Sequence, residues 1–150
     1  MARRFIPRWN EAGRKVLFFA QEEAGRTQTN DVAPEHILLG LLREASHPAS
    51  QVLTALGVDL VGMGQDILNR IAFGPGLEGR DMKLSAQSKH VIDLCYAEAA
   101  DLDNDWIGTE HLLLALVRGS GGLAGEVLAG RGVTREGCRM QIVALLQHNP

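Results

Sequence analysis

Two short segments of this chain set a carboxylate beside an imidazole. Glu35-His36 and Glu110-His111 each precede an apolar run, Ile37–Leu42 and Leu112–Val117. A carboxylate so placed can accept the paired N–H donors of a planar guanidinium in bidentate fashion. The backbone N–H groups of a helix start can hold a phosphate beside it, because the helix dipole is positive there. Neither use is compelled, since an acid in a first helical turn favours the dipole by about 0.3–1 kcal/mol with no ligand at all. Acid–base catalysis would need Glu and His to converge on one substrate. Adjacent helical residues diverge by about 100°, and no nucleophile accompanies either pair. No His-Glu-x-x-His spacing or Cys cluster marks a metal site, so a packed or capping histidine accounts for His36 and His111.

The pair occurs twice because the chain repeats itself. The offset is 110 − 35 = 75, half of the 150 residues. At that offset Trp9–Ile71 aligns with Leu84–Leu146 without a gap. Identities such as Val16/Val91, Glu23/Glu98, Val52/Val127, Gly57/Gly132 and Ile67/Ile142 run through the whole unit. A self-match of this length is a tandem duplication, so a site in one copy is expected in the other.

Each copy reads as four helices, and no period-two strand pattern is evident. Asn10 is placed to cap a first helix running to about Arg26, with Val16, Ala20 and Ala24 on one face. Ser85 caps its counterpart, whose face is Val91, Cys95 and Ala99. The second helices begin at Pro34, suited to a first turn, and at Thr109, read as a cap. They are apolar all round and must be buried on most sides. Arg43 and Arg118 close them at the negative dipole end. Short third helices stop at Gly57 and Gly132, and Asp59 and Thr134 cap the fourth. The expected architecture is all-α: eight helices in two pseudo-twofold-related four-helix repeats forming one domain. The repeats span about 9–71 and 84–146, joined by a Gly/Pro-containing linker at about 72–83.

Composition narrows the partners. The net charge is −3, no stretch is dense in Lys and Arg, and two Trp, one Tyr and four Phe leave little for base stacking. Nucleic acid is therefore not an expected partner. The apolar runs are far shorter than the roughly 20 residues that cross a bilayer. Arg3, Arg4 and Arg8 precede no apolar signal core. No membrane partner and a cytoplasmic location are expected, with Cys95 and Cys138 as reduced, packed thiols.

Gln21-Glu22-Glu23-Ala24, then Glu35-His36-Ile37-Leu38-Leu39-Gly40-Leu41-Leu42-Arg43-Glu44, then Val52-Leu53 and Gly57-Val58, resemble the Clp N-terminal repeat. This double repeat stands before the ATPase rings of the ClpA, ClpB and ClpC unfoldases. The second copy, Asp105–Leu114, is most similar to the ClpC form. No Gly-x-x-x-x-Gly-Lys-Ser/Thr loop is present. The resemblance therefore implies a recognition module without its motor, free-standing or cut from a longer unfoldase, with no cofactor and with a Clp ATPase as a possible partner.

ClpC-type N-domains bind substrates and adaptors, and some bind arginine phosphorylated on its guanidinium. The resemblance implies two such pockets, one per repeat, with Glu35 and Glu110 reading the guanidinium. Asn10 and Ser85 match a threonine of the ClpC type and would serve the phosphate, unless they are plain caps. Thr109 adds a hydroxyl and a backbone N–H where Pro34 has neither, and Gly108 is replaced by Ala33. The Glu110 pocket is thus expected to hold an anion more tightly. Leu84 stands where many ClpC N-domains carry an aromatic residue near which adaptors dock, and Lys89 matches a basic residue close to it. Core packing and solvation are their ordinary roles. Three functions stay open: a binding module for protein substrates or adaptors, a structural or oligomerisation domain, and a hydrolase built on the Glu-His pairs.

Overall fold

A computed structural model describes residues 8–77, 81–119 and 121–148, with side chains described to residue 145. Glu78, Gly79 and Arg80 of the expected linker, and the side chain of Leu146, lie outside the described residues, as do Arg3 and Arg4.

The first repeat contains β1 (Arg8–Trp9), α1 (Glu11–Arg26), β2 (Asp31–Val32), α2 (Pro34–Leu42), α3 (Pro48–Ala55) and α4 (Leu60–Arg70). The second contains β3 (Lys83–Leu84), α5 (Ala86–Asp101), β4 (Trp106–Ile107), α6 (Thr109–Gly119), α7 (Leu123–Gly130) and α8 (Arg135–His148). The helices start and stop for legible reasons. Asn10 Oδ1 accepts from Gly13 N at 2.8 Å and Ser85 Oγ accepts from Ser88 N at 3.1 Å. Gly57 and Gly132 take φ of 84° and 74° to end α3 and α7. After α1 and α5 the chain turns through the left-handed residues Gln28 (φ 64°) and Asp103 (φ 56°), which are equivalent at the 75-residue offset. Thr109 proves to be the first residue of α6 rather than its cap.

The four two-residue strands were not visible in the sequence, because two residues cannot display a period-two pattern. They carry the symmetry of the fold. β1 pairs in parallel with β4, Arg8 opposite Trp106. β2 pairs in parallel with β3, Asp31 opposite Lys83. Adding 75 to Arg8 gives Lys83, and subtracting 75 from Trp106 gives Asp31, so each pairing is the other turned through the pseudo-twofold axis. Each repeat thus sends a strand into the other. The β3 strand begins at Lys83, inside the expected linker. Before it, Gly74 N and Gly76 N bond to Thr27 O and Gln28 O, both at 2.8 Å, tying the connection to the end of α1.

Helix packing follows the same rule. α2 lies on α1 and α6 on α5; α6 also packs on α3 and α2 on α7, and α2 meets α6. Ile37, Leu38, Leu41, Leu112, Leu113, Leu114 and Leu116 are wholly buried, and each full burial contributes roughly 1.5–3 kcal/mol. One core joins the two repeats. Among the described residues no single helix is long and apolar enough to cross a membrane.

Candidate functional site

The strand exchange decides which residues meet. Ser85 N donates to Val32 O at 3.0 Å, and Asn10 N donates to Ile107 O at 2.9 Å. The start of α5 therefore sits against the entry to α2, and the start of α1 against the entry to α6. Asn10 belongs with Glu110, and Ser85 with Glu35. Each candidate site, one for each glutamate, is thus assembled from both repeats.

Glu35 is half-buried and lines a cavity of about 240 Å³. Ala33 and Pro34 share its wall on one side, Gln87 in the first turn of α5 faces it, and Gly121, Gly122 and Leu123 at the entry to α7 close it. The Glu110 carboxylate is largely buried. The glutamate side chain is 16% exposed, and its Oε1 atom is buried without a hydrogen-bond partner. That oxygen lies 2.3 Å from the point where a Cβ on residue 108 would stand, and Asn10 Nδ2 lies 2.6 Å from the same point. Only glycine at 108 admits this arrangement. In the first repeat Ala33 carries a Cβ at the equivalent position. Ser46, His47 and Pro48 stand where the other site has Gly121, Gly122 and Leu123.

Thr109 is fully buried, and its hydroxyl accepts from Ala49 N of α3 at 3.1 Å. It joins the repeats through this bond, a placement that sequence position did not disclose. Asn10 and Ser85 spend one acceptor each on their own helices. Leu84 is half-buried against the core opposite Val32, and Lys89 is exposed on α5.

The histidines hold the glutamates' helices in place. Nδ1 of His36 accepts from Ala33 N at 2.9 Å, and Nδ1 of His111 accepts from Gly108 N at 2.9 Å. Their Nε2 atoms lie 2.8 Å from Thr27 Oγ1 and Asn104 Oδ1. With Nδ1 accepting, the proton is on Nε2, and both rings are neutral caps. Burial lowers both pKa values from the usual imidazole range, opposed by Glu23 for His36 and by Glu110 and Glu98 for His111. His47, the cap of α3, is lowered in the same way by burial, against the pull of Leu41 O, Glu44 and Glu110. Glu110 Oε1 approaches His111 Nδ1 to 3.8 Å, nearer than helical divergence alone suggests, yet that nitrogen is already occupied by Gly108 N–H. Neither imidazole has a nitrogen free for proton transfer to a substrate. Among the described residues no three His, Cys, Asp or Glu side chains converge as a metal would need. Cys95 and Cys138 are buried free thiols; burial raises both, Cys138 to about 11.

Two features escaped sequence reasoning. The first is the role of the repeated arginines. Arg43 reaches Glu23 at 2.8 Å and Glu22 at 2.6 Å, and Arg118 reaches the wholly buried Glu98 at 3.3 Å. Arg135 adds a two-pronged contact to Glu98 at 2.8 and 3.1 Å. The identities Glu23/Glu98 and Arg43/Arg118 at one offset were the available signal. The second is a duplicated groove. One, of about 610 Å³, runs along α8 past Arg135, Glu136, Arg139, Met140 and Val143. Another, of about 290 Å³, runs along α4 past Leu60, Val61, Gly64, Gln65 and Leu68, position for position 75 residues earlier. Val61 and Met140 are about two-thirds exposed there.

With this geometry in view, comparison with known proteins gives a consistent answer. The family described as Clp repeat (R) N-terminal domain matches residues 8–131 and again 83–150. The negative regulator of genetic competence ClpC/MecB of Bacillus subtilis is 38% identical over 152 residues, covering 95% of this chain and 17% of its own length. The chloroplastic chaperone protein ClpC of Pisum sativum is 36% identical, covering 97% of this chain and 16% of its own. The chain thus spans about a sixth of these relatives. The crystal structure of the N-terminal domain of ClpD from Arabidopsis thaliana superposes with a TM-score of 0.72 at 21% identity, over 93% of this chain and 95% of that one.

Proposed function

Because the chain belongs to the Clp repeat (R) N-terminal domain family, we propose that it is a recognition module for protein substrates or adaptors of the Clp unfoldase system, acting by binding and not by catalysis. A Clp ATPase is the proposed partner, and the cytoplasm the proposed location. The finer reading is that an arginine side chain bearing a phosphate on its guanidinium is held where the two repeats meet. The observation that carries it is the cavity beside Glu35, where a half-buried carboxylate stands next to the first turn of α5 and the glycines before α7. The carboxylate accepts from the guanidinium N–H pair, and the backbone N–H groups of the helix starts donate to the phosphate oxygens. Ser85 holds the start of α5 in register for this role, as Asn10 does for α1 beside Glu110. Lys89, exposed on α5, and the half-buried Leu84 are the residues proposed to meet a docked adaptor. The paired grooves on α4 and α8 supply apolar area for such a partner.

The test is capture of arginine-phosphorylated protein, compared with the same bait after dephosphorylation. Retention of only the phosphorylated bait, abolished by Glu35→Ala combined with Glu110→Ala, supports the finer reading. Equal retention of both baits leaves protein recognition and removes the phosphate. No retention of either, with a tight homodimer in sedimentation, favours an oligomerisation domain.

A further inference from the structure

The fourth helices of the two repeats bury matching residues but are supported unequally. α4 sinks Met63 and Ile67 into the core, and α8 sinks Cys138 and Ile142, the residues 75 positions on. At the start of α8, Thr134 Oγ1 accepts from Gly137 N at 3.0 Å, whereas Asp59 makes no side-chain bond to the start of α4. Arg135 holds Glu98 at 2.8 and 3.1 Å, and Arg139 holds Asp101. The α4 counterparts are Leu60 and Gly64, which can clamp no carboxylate. α4 also carries two glycines, Gly62 and Gly64, in 11 residues, where α8 has one in 14. Neither has a left-handed φ. A Cβ on Gly64 would meet nothing nearer than Leu42 Cδ1 at 3.9 Å, and one on Gly62 would meet only the Asp59 side chain. Neither backbone nor space calls for glycine there, and each glycine weakens the helix. The ion pairs that do hold α4, Arg70 with Glu126 and Asp66 with Arg131, lie at the surface, where such pairs add little.

We propose that its glycines and its missing cap and clamps make α4 a flap, which detaches in a local opening while α8 and the rest of the core stay folded. Segments of low local stability open in this way without global unfolding. The released stretch has fixed ends. The chain turns at Gly57 (φ 84°) before α4, and after it Gly74 N is bonded to Thr27 O at 2.8 Å. The opening bares Met63 and Ile67 together with the faces of α2 and α7 against which α4 packs. The groove that α4 forms with Leu39 and Leu42 of α2 therefore changes shape, while the groove along α8 is held. The flap does not depend on which ligand the protein takes.

Native-state hydrogen exchange, followed by amide NMR in urea below the unfolding transition, tests this on the wild-type chain. Amides 63–70 of α4 are expected to be protected about ten-fold less, or lower still, than amides 139–147 of α8. The α4 amides should be insensitive to low urea, whereas those of α8 follow global unfolding. Gly64→Ala is expected to slow α4 exchange about four-fold, and Gly62→Ala to slow it further. Ile142→Val separates the flap from the whole fold. It is expected to speed α8 exchange several-fold and to leave α4 exchange unchanged, because α8 stays packed when the flap opens. Equal protection of the two helices, or acceleration of α4 in step with α8 in Ile142→Val, would show that α4 opens only when the whole chain does, and would overturn the flap. Exchange in α4 left unmoved by Gly64→Ala would overturn the cause assigned to it.

Discussion

The first and second repeats share a fold and four helix positions, but they solve the same local problems with different residues. Where α2 crosses α1, Gly40 brings the backbones so close that a Cβ would meet Val16 O at 2.7 Å. Its counterpart on α6 is Ala115, fully buried and accommodated against α5. The buried Glu98 is held by two arginines, Arg118 and Arg135, while Glu23 is held by Arg43 and by the exposed Arg26 at 3.2 Å. Position 60, equivalent to Arg135, is a leucine. Duplication fixed the frame, and each copy then adjusted its packing and its charges. The same drift separates Ala33 from Gly108.

The largest effect that would break this comparison lies in the ion clusters. Removing both Arg118 and Arg135 by alanine leaves Glu98 buried and unpaired, at a cost of about 3–5 kcal/mol. Arg43→Ala leaves Arg26 near Glu23 and is expected to cost less, about 2 kcal/mol. Urea unfolding of the variants measures both. Equal costs would show that the repeats do not differ in this respect. Next in size is the helix crossing: Gly40→Ala is expected to destabilise by about 1–3 kcal/mol through overpacking. Replacing Ala115 by glycine costs only about 1 kcal/mol, from helix propensity, and thermal melts rank the two.

Much of this was open to reading from the residues. The repeat offset, the first-helix caps, the glycine stops and the all-round burial of α2 and α6 follow from local chemistry and periodicity, which a single sequence displays. Which helix start faces which glutamate does not, because it depends on two-residue strands that cross between repeats and leave no pattern. Thr109 could not be placed for the same reason: its hydroxyl is consumed by Ala49, sixty positions away. The burial of the Glu110 carboxylate was half legible. Gly108 against Ala33 was visible as a difference in backbone freedom, whereas its consequence is the space left for a carboxylate.

A smaller effect concerns acid. His36, His47 and His111 are neutral in the fold and have lowered pKa values, chiefly from burial. The unfolded chain takes up these protons near pH 6.5, and the folded chain only at lower pH. In that interval the unfolded state binds more protons, so stability is fully present above about pH 6.5 and declines as the pH falls through it. Denaturant midpoints between pH 7.5 and 5.5 check this, and His36→Gln is expected to flatten part of the slope. The smallest effect sharpens the comparison at the ends of α1 and α5. Gln28→Gly relieves a left-handed glutamine by about 0.5–1 kcal/mol, while Asp103→Gly gains less because aspartate tolerates that conformation better.

The central claim is that a ligand is gripped across the junction of the two repeats. Titration of isotope-labelled protein with phosphoarginine, followed by amide NMR, tests it most directly. The account predicts that Glu35 of the first repeat shifts together with Gln87, Gly121 and Gly122 of the second, along one binding curve. Shifts confined to residues of a single repeat would contradict it.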